Sequence, residues 1–187
     1  MEIQRTNNIQ FGARYMGPAK VKSKVGTKWK DLEVSFIKFE TVKQEDRKVL
    51  SNICRLWNRK NLSAGIAEEA NILGSNAQIY ALSKQKDFSG SVDPNQILGL
   101  MSTDKIQRGK DTVQIYKIGT TPEYAYAQKR RSRDIKHIAS SLVDSFRAIA
   151  KKHGNKEVVV NYADPEDLKF LSKVGLELKN KNFIEVI

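Results

Sequence analysis

The sequence has little cysteine, histidine or proline: one, two and four residues respectively in 187. It also has no window approaching 18 consecutive apolar residues. A single cysteine excludes a disulfide framework and a cysteine-built metal centre. Cys54, inside the helical pattern "VLSNICRLW", reads as a buried structural thiol. His137 and His153 have no paired carboxylates beside them, so no metal-ligand spacing is present and no metal is expected. Without a long apolar run no helix is expected to span a membrane. The N-terminal "MEIQRTNNIQFGARYMG" lacks the charged and apolar regions of a secretory signal, and a cytoplasmic location is expected. Ordinary apolar content with scarce proline excludes wholesale disorder and is enough for a real core.

What the chain does have is positive charge, +12 in all. Residues 1–31 carry seven Lys or Arg against Glu2 and Asp31, and residues 128–136 carry five against Asp134. These two segments hold nine of the twelve net charges, and the remaining 147 residues carry only +3. Basicity this local describes sites or tails, not a uniform nucleic-acid coat.

The organisation follows from periodicity. Residues 1–31 show no sustained period and read as a basic N-terminal arm, with a short strand or two laid on a domain spanning 32–187. "LEVSFIKFE" alternates as a strand covered at least partly on both sides. Thr41 and Gln44 form a capping box, opening a helix over about 42–59 whose apolar face is Val49, Leu50, Ile53, Leu56 and Trp57. A shorter helix is expected between Ser63 and Gly74. "QIYALSK", "QILGLMSTD" and "TVQIYKIGTTP" follow as three strands separated by connections short enough for antiparallel pairing. Ile135, Ile138, Ala139, Leu142, Val143, Phe146, Ile149 and Ala150 mark a long amphipathic helix, ended by Lys151, Lys152 and Gly154. "EVVVNYA" is an apolar strand of the parallel kind. Asp164, Pro165 and Gly175 bound another helix, and "LELKNKNFIEVI" supplies one or two closing strands. A long helix between two strands is a crossover that makes them parallel. The expected fold class is α+β, a mixed, mostly antiparallel sheet with helices on both faces.

This order of elements resembles the GCN5-related N-acetyltransferase (GNAT) fold over roughly residues 32–187. The resemblance implies that the strand before the long helix splays from its parallel neighbour and that acyl-CoA lies in the opening. Pantetheine would pair with the strand edge, and the pyrophosphate would sit on backbone N–H groups at the helix start. "IYKIGTTP" resembles the family's splayed strand, with Gly119 placed for a bulge or close approach and Pro122 opening the phosphate loop. Against the family's loop motif Q/R-x-x-G-x-G/A, Asp134 falls on the Q/R, His137 on the first Gly and Ala139 on the last G/A. Only Ala139 conforms, and "EYAYAQKRRS" lengthens the loop. "KFLSKVGLEL" resembles the F-Y-x-x-x-G-F signature through Phe170, Gly175 and Leu176, but Leu171 stands where the family's proton-donating Tyr would be.

The resemblance implies acetyl-CoA or another acyl-CoA as co-substrate and a primary amine as acceptor. Ile118 and Thr120 would bind the coenzyme through backbone groups, as would Ile138, Ala139 and Ser140 at the helix start. Arg131, Arg133, Lys136 and His137 would add charge beside them, and the same cationic run, with Lys129 and Arg130, also reads as a solvated loop or a nucleic-acid contact. Tyr162, after "EVVVN", is the hydroxyl nominated as replacement acid, its ordinary pKa near 10 suiting a thiolate. Glu68 and Glu69 are the carboxylates nominated near the acceptor, Glu69 foremost. The alternative reading is a non-catalytic domain of this fold that binds nucleic acid or an acidic partner through its basic arm and loop.

Overall fold

The computed structural model describes residues 13–57, 77–124, 134–161, 168–179 and 182–187. Its strands are β1 (Arg14–Val25), β2 (Lys28–Phe39), β3 (Ala77–Ser83), β4 (Ile97–Asp104), β5 (Thr112–Thr120), β6 (Ile135–Lys136), β7 (Glu157–Asn161), β8 (Glu177–Lys179) and β9 (Asn182–Val186). Its helices are α1 (Gln44–Trp57), α2 (Ile138–Lys152) and α3 (Leu168–Lys173). Among the described residues these strands form one sheet in the order β6-β1-β2-β3-β4-β5-β7-β9-β8, with β5 and β7 its parallel pair.

Alternation along each central strand sends side chains to two separate cores. Val34, Phe36, Tyr80, Leu82, Met101, Val113, Ile115 and Val158 pack with Leu142, Val143, Phe146 and Ala150 of α2 and Leu171 of α3. On the other face Ile37, Phe39, Ile79, Ala81, Ile97 and Leu100 pack with Val49, Leu50, Ile53, Cys54 and Trp57 of α1. Tyr80 joins sheet to helix: its ring stacks on Phe36 at 5.3 Å and meets Phe146 edge-on at 5.4 Å.

The helix ends follow local sequence closely. At the end of α2, Gly154 is left-handed (φ 86°) and Asn155 N–H donates to the Ala150 carbonyl. At the end of α3, Gly175 has φ 87°, its N–H donates to Ser172 and the Leu176 N–H to Leu171. Both are Schellman closures, and both require the glycine because an L side chain strains that conformation.

Three expectations are corrected. Residues 14–31 are not an arm laid on the domain: β1 pairs with β2 along its whole length, so the boundary at residue 31 falls inside β2. Only Ala19 and Val21 of β1 are buried; the alternation of Lys20, Lys22 and Lys24 with Ala19, Val21 and Val25 is the period of this strand, confined to a few residues. The first helix is not closed by a Thr41–Gln44 box; Asp46 instead accepts from the Glu40 N–H at 2.6 Å. Ile135 does not begin the long helix but lies in β6, and the helix starts at Ile138. The helix expected over 63–74 lies outside the described residues.

Candidate active site

The site grows from a defect in the sheet. From Thr112 to Ile115, β5 pairs in parallel with β7, ending at Ile115↔Val160. Antiparallel pairing with β4 continues past that point, through Ser102↔Lys117, Met101↔Ile118, Leu100↔Gly119 and Gly99↔Thr120. Thr103 pairs with Ile115 and Ser102 with Lys117, so Tyr116 is an extra residue, a β-bulge, at the point where β5 leaves β7. A bulge bends its strand and raises the local twist, which is what opens a sheet at that level. Of the bulge or close approach expected at Gly119, the bulge lies instead at Tyr116, and Gly119 pairs regularly with Leu100.

Beyond the fork, antiparallel geometry sets which backbone groups face out. Thr121 N–H donates to the Leu98 carbonyl. Donor-acceptor directions alternate along a strand, so Gly119 also faces β4 while Ile118 and Thr120 present their backbone groups to the opposite side, where the strands part.

The same end of β5 meets the start of α2. The Ile138, Ala139 and Ser140 N–H groups precede the first intrahelical bond, from the Ser141 N–H to the His137 carbonyl, and they lie at the positive end of the helix dipole. The first turn carries no acidic residue. The Ile138 side chain is buried in the core, Ala139 and Ser140 are half-buried, and the Ser140 hydroxyl donates to the His137 carbonyl at 3.1 Å.

His137 has φ 66°, ψ 23°, left-handed backbone, and is the one described non-glycine residue with positive φ. Left-handed backbone is what glycine adopts most readily, and His137 is the residue that the sequence expectation set against the loop motif's first glycine. A left-handed L residue costs about 1–2 kcal/mol. His137→Gly is thus expected to be neutral or stabilising within about 1 kcal/mol, whereas His137→Val is expected to lose about 1–2 kcal/mol, β-branching being worst there. Urea denaturation of the two variants checks this, and equal losses would contradict it.

Lys136 is drawn away from the helix start. Its ammonium sits 3.9 Å from the centre of the Trp29 ring on β2, a cation–π contact. Leu171, where a proton-donating Tyr was sought, is buried in the α2-side core and offers no hydroxyl. Arg131, Arg133, Glu68, Glu69 and Tyr162 lie outside the described residues, as do Lys129 and Arg130.

Two residues missed by sequence reasoning stand at the fork. The Tyr116 hydroxyl donates to Asp104 Oδ1 at the end of β4, and this hydrogen bond helps push the phenol up to about 12. By register both side chains lie on the sheet face opposite α2, with Tyr116 37% exposed. The signal was present: the apolar positions of β5 run Val113, Ile115, then Ile118, a step of three that breaks the period of two at the bulge.

Neither a scan against family models nor a search of curated proteins gives a match. Solved structures do. GCN5 of Tetrahymena superposes with a TM-score of 0.54 over 83% of this chain and 96% of that one, at 9% identity. A putative GNAT-family acetyltransferase from Desulfovibrio desulfuricans gives 0.49 over 81% and 96%, at 10% identity. An aminoglycoside acetyltransferase from an uncultured soil metagenomic sample, in complex with sisomicin, gives 0.49 over 82% and 92%, at 16% identity. The fold is that of the GCN5-related N-acetyltransferases. It is a divergent version, with β6 just before α2 and a bulge-borne Tyr–Asp pair where β5 leaves β7. Among the described residues no helix is long and apolar enough to cross a membrane, and no cluster of metal-ligating side chains occurs.

Proposed function

We propose that this domain binds acyl-CoA in the opening between β5 and β7 and transfers the acyl group, most simply acetyl, to a primary amine. The observation that carries the reading is the coincidence of two features at one end of β5. The strand edge is released from β7 after Ile115, and the N-terminus of α2 lies beside its end, packed on Gly99. The donor set suits the ligand. A pyrophosphate is held by N–H groups at a helix start, here those of Ile138, Ala139 and Ser140. Pantetheine amides pair with a strand edge, here through the backbone of Ile118, which faces away from β4. Arg131 and Arg133 are the proposed phosphate-side cations. His137 contributes its backbone turn, and Lys136 is held over the Trp29 ring.

A ligand whose phosphates lie on the α2 face and whose chain passes between the strands delivers its thioester to the opposite face. Asp104 and Tyr116 lie there and are proposed to hold the acceptor ammonium. After the ammonium has lost a proton to solvent, its nitrogen attacks the thioester carbonyl and gives up a second proton to solvent, the carbon–sulfur bond breaks to leave the amide, and the coenzyme leaves as thiolate. Tyr162 is the proposed donor of that thiolate's proton and Glu69 a second carboxylate toward the amine. Holding both reactants in line supplies most of the acceleration.

Isothermal titration with acetyl-CoA and with CoA tests the first step. Micromolar binding of both is expected; no heat at high micromolar ligand would end the proposal.

A further inference from the structure

Lys117 is an exposed residue in an inner strand, with β4 on one side of β5 and β7 on the other. It pairs with Ser102, and Ser102 pairs with Ile79, whose side chain is in the α1-side core. Residues directly opposite in a sheet send their side chains to the same face, so Lys117 stands on the α1 side, away from α2. Asp104, two residues past Ser102, stands on that face as well, joined to the Tyr116 hydroxyl. On the β4 flank of Lys117 the face is closed, Ser102, Leu100 and Ile79 all being buried. On the other flank the pairing with β7 has ended at Ile115. A lysine lays its stem on apolar surface and keeps its charged head in water, so the amine has the gap beside it.

The order of residues along the edge of β5 sets what reaches this amine. The first turn of α2, assigned to the pyrophosphate, packs on Gly99, which pairs with Thr120. The fork closes at Ile115. A pantetheine chain that starts at the helix and pairs with the edge at Ile118 therefore runs toward Ile115, and its thioester end comes level with Lys117 and Tyr116. An acyl-CoA in this opening meets a primary amine that belongs to the protein itself.

We propose that Lys117 is acetylated by the acetyl-CoA bound in its own chain, a self-modification site at the mouth of the fork. The inference rests on the coenzyme reading above and adds to it an acceptor built into the strand. The neutral Nζ attacks the thioester carbonyl carbon, a nitrogen–carbon bond forms and the carbon–sulfur bond breaks. The nitrogen gives up one proton to solvent and the departing thiolate takes one up, so the products are an acetylated lysine and the coenzyme thiol. The modification removes a positive charge from the face on which Asp104 and Tyr116 are assigned to the acceptor.

The test incubates the full chain with acetyl-CoA, reads the modified positions by peptide mass spectrometry and measures coenzyme binding by isothermal titration. Lys117 is expected to be acetylated at least about tenfold faster than the exposed Lys28, Lys110 and Lys152, because a bound thioester is presented to it at high effective concentration. The rate constant should not change with protein concentration, as a reaction within one chain requires, and excess desulfo-CoA should abolish the advantage. Lys117→Arg should lose this acetylation and keep its acetyl-CoA affinity. Equal acetylation of the four lysines, a rate constant that rises with protein concentration, or indifference to desulfo-CoA would each overturn the proposal. Binding of acetyl-CoA without acetylation of Lys117 would overturn it too and leave the coenzyme reading in place, whereas absence of binding would remove both.

Discussion

Gly99→Ala is expected to destabilise the protein by about 1–3 kcal/mol and to weaken acetyl-CoA binding at least about tenfold. A Cβ on Gly99 would stand 2.7 Å from Ile138 Cγ2, 3.0 Å from Leu142 Cδ1 and 3.1 Å from the Gly119 carbonyl oxygen. Carbon atoms in contact prefer about 3.5–4 Å. None of the three neighbours gives way easily. The Ile138 methyl is on a β-branched side chain with essentially one helical rotamer, and the Gly119 oxygen is backbone in a paired strand. The first turn of α2 must therefore lift from β4 by about 1 Å, estimated from those contact distances. That turn carries the N–H groups assigned to the pyrophosphate, so stability and affinity fall together. Ile138→Ala removes the nearest methyl, and the double variant should lose less than the two single losses combined, a coupling readable in a double-mutant cycle. If Gly99→Ala bound acetyl-CoA normally, the helix start would not be where the coenzyme sits.

Asp104→Asn is expected to raise the Michaelis constant for a primary amine by tenfold or more while leaving the acetyl-CoA affinity unchanged. Removing one partner of a charged hydrogen-bonded pair costs roughly 1.5–3 kcal/mol, enough for that factor. Tyr116→Phe should raise the same constant by a smaller factor, because the carboxylate stays and only its orienting donor is lost. Cadaverine and an N-acetylated lysine amide are suitable probes, with thiol release as readout. The pH profile has a definite sign. Hydrogen bonding to Asp104 keeps the Tyr116 phenol protonated up to about 12, so between pH 6 and 10 it remains a donor. A rise in rate with pH across that range then reports loss of the amine's own proton. The result should persist in Tyr116→Phe; if it vanished, the phenol itself would be the titrating group. An Asp104→Asn enzyme with an unchanged Michaelis constant would remove the pair from the acceptor site without touching the coenzyme assignment.

Much of this frame was legible locally. The apolar positions of α2 follow the helical repeat, and Gly154 and Gly175 each sit where a helix must turn left-handed to close. The runs that became β3, β4, β5 and β7 lie within a residue or two of their expected bounds, because each buries at least one face and must display a period. What was not legible is what depends on pairing. β1 shows its period only over residues 19–25, because an outer strand buries little. The bulge at Tyr116 was visible only as a skipped beat between Ile115 and Ile118. Lys136, grouped by sequence with the phosphate-loop cations, is placed by β6 beside Trp29, a residue more than a hundred positions earlier.

The sequence by itself determined the element order, the crossover helix with its capped end and the concentration of charge in two segments, since propensity, period and composition are properties of neighbours along the chain. Only the tertiary structure decided that those two segments form one ribbon, that β5 leaves β7 at Tyr116, and that His137 keeps a glycine's backbone without its residue. Strand register joins residues far apart through backbone hydrogen bonds that every sequence can make. The choice among registers is therefore settled by the packing of the whole sheet and not by any short stretch of it.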